Sequence, residues 1–162
     1  MNFGIQLKGG RAAALALLGL AMLSPVSSSA REAKIIKVLP HLMDSRGRIS
    51  LAPSLYERDA YQLYLREHAS EVNGLRFDVQ WKASKKNSST LELRMEVRGR
   101  KMPLEKTRVF TEQVKKPRHF STWSSLKLNK AAYTEVGELV AWRATLWEGE
   151  KMIAEQQSFL WH

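Results

Sequence analysis

A run of basic side chains between residues 98 and 118 carries the strongest chemical signal in this sequence. Arg98, Arg100, Lys101, Lys106, Arg108, Lys115, Lys116 and Arg118 stand against only Glu105 and Glu112. Gathered on one surface, they would attract an anion such as a lipid headgroup, an acidic glycan or an acidic protein. The plainer reading is a solvated edge strand, where cationic side chains prevent unwanted strand pairing. The tryptophans, five in all, are the second signal. Trp81 and Trp142 fall on alternating apolar faces and read as core, whereas Trp147 has the opposite parity from Trp142. Trp147 is therefore the candidate exposed aromatic, able to stack on a sugar or anchor a partner, unless a helix covers it.

Other reactive residue types lack the spacing that chemistry needs. Of the four histidines, His41, His68, His119 and His162, none lies at ligand spacing to another, and zinc needs three or four nitrogen or sulfur donors. His41-Leu42-Met43 offers soft donors of the kind copper takes, but on one strand both share a face with ordinary neighbours. Glu57, Asp59 and Glu67 lie on or near one predicted helix, where Glu57 and Asp59 suit capping and dipole roles. There is no Gly-rich phosphate loop and no Gly-x-Ser-x-Gly elbow. No catalytic constellation, metal or cofactor is expected. Nucleic acid is not expected either, because the basic tract lacks the interleaved aromatics of an RNA binder.

The N-terminus says where these residues would work. Lys8 and Arg11 form a basic head, Ala12 to Leu23 are almost wholly apolar, and Ser27-Ser28-Ser29-Ala30 supplies a small-residue cleavage site. That order is a secretory signal peptide over 1–30, cut after Ala30. The apolar run covers twelve residues, too short for a bilayer that needs about twenty. With no cysteine in the chain, neither a lipid anchor nor disulfides are available, which favours a bacterial periplasmic or secreted product over a eukaryotic one. The formal charge is +10, and the mature chain remains basic after the leader leaves. Asn87-Ser88-Ser89 matches a glycan acceptor, to which chance alone gives little weight.

Residues 31–162 have the length of a single domain that can bury a core without staples. Leu75 to Lys82 and Leu91 to Arg98 alternate apolar and polar side chains strictly, as half-buried strands do. Paired as a hairpin with Trp81 opposite Leu91, they would set Asp78 across from Arg94 and Arg76 across from Glu96. Ile35 to Met43, with Pro40 suggesting an edge or bulge, Arg108 to Lys115 and Thr122 to Leu128 read as further strands. Leu139 to Trp147 and Met152 to Trp161 flank a Gly-containing connection, with Val140, Trp142, Ala144 and Leu146 on one face. One helix near 54–68 interrupts them: Ser54 and Glu57 form a capping box. Tyr56, Ala60, Leu63 and Tyr64 are expected to pack on the sheets.

About seven strands and one early helix predict a mainly β fold, a single immunoglobulin-like antiparallel β-sandwich. The order over Phe77 to Trp161 resembles an immunoglobulin or fibronectin-type domain, without the two cysteines of the former. Tyr133 lies too far from the sixth strand to match a tyrosine corner. The run from Trp142 to Trp147 and the terminal Ser158-Phe159-Leu160-Trp161 are similar to uncharacterised exported bacterial proteins, a likeness that implies no activity. The expected function is a non-catalytic exported domain that binds an anionic envelope component or protein through its basic edge. Two alternatives make different demands. A periplasmic assembly chaperone acting by strand addition needs a long open edge, and a hydrolytic or metal-dependent enzyme needs a concave pocket.

Overall fold

The computed structural model describes residue 1 and residues 33–84, 86–103, 105–117 and 120–161. Beyond its first residue the expected leader lies outside the described residues, as do Arg118, His119 and His162. Seven strands form, β1 (Ala33–Met43), β2 (Gly74–Ala83), β3 (Thr90–Gly99), β4 (Arg108–Lys115), β5 (Thr122–Asn129), β6 (Leu139–Glu148) and β7 (Lys151–Gln157). Two helices join them, α1 (Leu55–Glu67) and α2 (Lys130–Val136), with single 3-10 turns at Ala69–Glu71 and Phe159–Trp161.

The strands make two antiparallel sheets, β1-β2-β5 and β4-β3-β6-β7. The fold is mainly β, two antiparallel sheets packed as a sandwich, with the fourth strand beside the third rather than beside the fifth. Period-two patterning creates the core directly. Leu75, Phe77, Val79 and Trp81 of β2 face Leu91, Leu93, Met95 and Val97 of β3 across the interlayer space, all eight almost fully buried. The Trp81 indole N–H donates to Ser124 Oγ at 3.0 Å, which satisfies its one polar atom.

Because β2 and β3 lie in different sheets, the hairpin register expected between them does not exist. Asp78 instead lies opposite Ser125 and pairs with Arg76 of its own strand at 2.7 Å, while Glu96 pairs with Arg143 of β6 at 2.7 Å. The alternation identified both strands correctly; it carries no information about which sheet each joins.

Helix α1 starts as expected, with Ser54 Oγ accepting from the Glu57 N–H at 3.1 Å, but it buries the other face. Gln62 and Leu65 are buried, whereas Tyr56, Ala60 and Leu63 are exposed and Tyr64 largely so. The reason is polar: Gln62 and Tyr61 have hydrogen-bond partners at the end of β1, and these orient the helix more strongly than the aromatic stripe does. Val140 also departs from its expected face. A bulge opposite Arg98 and Gly99 pushes it outward, and Leu139 packs on the core in its place. Strand β7 ends sooner than expected: the Ser158 N–H and Oγ bond the Trp142 carbonyl and N–H, both at 2.9 Å, and the chain then turns.

Helix α2 was not expected, although its punctuation is present in the sequence. Asn129 Oδ1 caps the Ala132 N–H at 3.0 Å, and Gly137, at φ +75°, ends the helix. Gly99 lets α2 dock, since a Cβ there would lie 2.2 Å from the Val136 carbonyl oxygen.

Candidate functional site

The basic tract does not form one patch, because β4 runs through its middle and carries its two ends to opposite ends of the sandwich. Lys115 and Lys116 lie at the end formed by residues 86–89 and the β6–β7 turn. There the Lys116 ammonium donates to the Asn87 carbonyl oxygen, and its N–H to the Ser89 carbonyl at 2.9 Å. Asn87 itself is buried, its side-chain nitrogen donating to Glu148 Oε2 at 3.0 Å. The nitrogen a glycan would need is thus occupied in the folded chain. The Asn87 and Ser88 N–H donors also hold the Glu148 carboxyl below its usual range.

At the opposite end, Arg100 pairs with Glu138 at 2.8 Å and Arg108 with Glu135 at 3.6 Å, while Lys101 and Lys106 are exposed. Arg98 serves packing: its guanidinium stacks 4.3 Å from the Trp161 ring and donates to the Trp161 carbonyl at 3.2 Å. Trp147 sits on the outer face, as its parity requires. It is half-buried under the Arg94 guanidinium, 4.1 Å from the ring centre, with its N–H on Thr145 Oγ1 at 2.8 Å. The helix does not cover it. Trp123 on β5, 49% exposed, presents the more open indole.

His41 is buried on the outer face of the β1-β2-β5 sheet, 3.8 Å from Asp78 Oδ2. Burial pushes its pKa below the ordinary value; Asp78 pulls upward, and Arg58 and Arg76 push down. The other oxygen of Asp78 accepts from Ser125 Oγ at 2.5 Å. The carboxylate thus separates serine from imidazole, so this trio does not hold the hydroxyl against a histidine base. Among the described residues, no three His, Cys, Asp or Glu side chains are grouped to hold a metal ion.

The concave feature lies at the helical end of the sandwich. A groove of about 780 Å³ runs between α1 with its following 3-10 turn on one side and α2 on the other. Leu42, Leu65, Val72, Leu75 and Leu139 supply apolar lining, with Tyr133 projecting from α2. Burial raises the Tyr133 pKa, with a smaller push from Glu138, so the phenol stays neutral. Arg66, Lys101 and Lys130 stand around the rim with Glu138, whose carboxylate is engaged by Arg100. The Lys101 stem lies on Gly137, where a Cβ would meet its Cγ at 2.8 Å. Among the described residues of the tract named from sequence, Lys101 alone lines this groove. Its other walls come from segments up to about a hundred residues apart, and the basic character of residues 98–118 pointed only to one corner of it. No protein-family model, no curated protein and no solved structure matches the chain.

Proposed function

We propose that this protein is a non-catalytic binding domain of an exported compartment, and that its binding site is the groove at the helical end of the sandwich. The single observation that carries the reading is the groove itself. Its volume falls within the range typical of small-ligand sites, about 300–1,000 Å³, and it combines aliphatic side chains with a comparable share of polar and charged ones. Two of its hydrogen-bonding groups serve structure. The Gln62 amide is bonded to Leu42 and Ile49, and Thr134 Oγ1 donates to the Lys130 carbonyl at 2.8 Å. These engagements favour binding over acid–base or nucleophilic chemistry, which requires a base aimed at a substrate proton.

A neutral solvatochromic dye tests this directly. Titrated into the full-length protein, Nile red is expected to brighten at a single saturable site. Replacement of Ser70, on the groove wall, by tryptophan fills the mouth and is expected to weaken the dye by about tenfold or more, or ~1.4 kcal/mol. Dye binding that never saturates, or that S70W leaves unchanged, overturns the reading.

A further inference from the structure

The charge around the groove is one-sided. Three cations, Arg66, Lys101 and Lys130, line it, each exposed, and no acidic side chain pairs with any of them among the described residues. The acid that does reach the rim, Glu138, is neutralised by Arg100 at 2.8 Å. Elsewhere the surface arginines are mostly balanced: Arg76 by Asp78, Arg94 by Glu92, Arg143 by Glu96 and Glu155. Between these cations Leu42 and Leu139 are partly exposed, above Val72, Leu75 and Leu65, which are almost completely buried. A groove with partly exposed aliphatic side chains between unpaired cations complements a molecule with an alkyl chain and a negative head.

Resting on the proposed binding role of this groove, we infer that its ligand class is a single-chain anionic amphiphile. The alkyl chain lies against Leu42, Leu139 and the Tyr133 ring, and the carboxylate or phosphate head meets Lys101 and Lys130. Burial of the chain supplies the bulk of the affinity, since each CH₂ removed from water tightens binding by about fourfold. The cations select the sign of the head. Lysines suit this role because a flexible ammonium meets an anion as a point charge, without the fixed fork that arginine imposes.

The test is competition against bound Nile red in the full-length protein, with three twelve-carbon probes kept below their aggregation concentrations. Laurate and dodecyl phosphate carry the anion on different chemistry, and dodecyltrimethylammonium carries the opposite charge on the same chain. At least one anion is expected to displace the dye at about a tenfold lower concentration than the cation, equivalent to ~1.4 kcal/mol. Displacement by laurate alone, or by dodecyl phosphate alone, supports the inference and fixes the head group. The double variant Lys101→Met, Lys130→Met keeps both aliphatic stems and is expected to erase that preference, bringing the anion and cation to within about twofold of each other in displacing the dye the variant binds. Equal displacement by anion and cation in the wild-type protein overturns the ligand class and leaves the binding role standing. Absence of dye binding overturns both. A preference that survives the double variant overturns the assignment of the head to Lys101 and Lys130.

Discussion

Asp44 closes the turn after β1, and its buried carboxylate accepts four hydrogen bonds. They come from the Arg46 N–H at 2.9 Å, the Arg48 N–H at 2.8 Å, Arg48 Nε at 2.7 Å and the Tyr61 hydroxyl at 2.8 Å. Burial alone would raise its pKa. The bonds from Arg48 and Tyr61, with that from Arg46, outweigh burial and bring the value from 3.8 down to about 2. The sign of the pH effect follows. A carboxyl whose folded pKa is depressed lends stability that is fully present above its unfolded value and is lost as pH falls toward the folded one. Asp44→Asn should therefore cost about 1–2 kcal/mol near neutrality. The gap to wild type should close between about pH 4 and about pH 2, read by urea denaturation at stepped pH. A gap that stays constant across that window would exclude the ionised carboxylate as its source. The turn itself is legible in Asp44-Ser45-Arg46-Gly47, because Asx turns are written locally. The Tyr61 bond was not legible, since it depends on where a helix docks.

Helix α1 shows what periodicity can and cannot decide at the scale of an element. Its cap and length follow from Ser54, Glu57 and the apolar spacing, but two stripes compete for burial, Tyr56-Ala60-Leu63-Tyr64 and Arg58-Tyr61-Gln62-Leu65. The second wins because Gln62 completes the free edge of β1. Its Oε1 accepts from the Leu42 N–H at 2.7 Å, and its Nε2 donates to the Leu42 and Ile49 carbonyls at 2.9 Å each. A side-chain amide thus stands in for a neighbouring strand at the point where β1 would otherwise expose unpaired backbone. An edge closed in this way is a poor template for strand addition at that position. Gln62→Leu keeps the bulk and removes these bonds. Leaving the Leu42 groups unpaired under the helix should lower stability by about 3 kcal/mol, measured by chemical denaturation. A loss below ~1 kcal/mol would mean that apolar contacts, not the amide, orient α1. Helix α2 illustrates the opposite case. Asn129 and Gly137 frame it plainly, yet seven residues between two strands give too little periodicity to distinguish a helix from a loop.

At the scale of the whole molecule, the sandwich was legible because alternation in β2 and β3 dictates a buried face. The pairing of strands was not, because sheet membership is decided by contacts distant in sequence. The same gap explains the site. A tract that is continuous in sequence, Arg98 to Lys116, is divided by β4, while the groove draws on α1, α2 and three strands that no local motif connects. Strand β4 spans eight residues, Arg108 to Lys115, so its two ends lie about 23 Å apart at ~3.3 Å per residue, with Lys115 at one and the turn that carries Lys101 beyond the other. That is well beyond the screening length of about 8 Å at physiological ionic strength. Net charge and local charge can therefore be separated experimentally. Lys101→Glu, in the turn after β3, and Lys115→Glu, at the end of β4, change the charge of the molecule equally, and both side chains are exposed. If the anion is held by the rim of the groove, K101E should weaken laurate about tenfold or more in dye displacement, while K115E should leave it within about twofold. Equal weakening by the two variants would show that attraction comes from the overall positive charge rather than from the groove's own cations. In that case raising the salt concentration would abolish both effects together, whereas a head group held directly on the rim retains part of its preference at high salt.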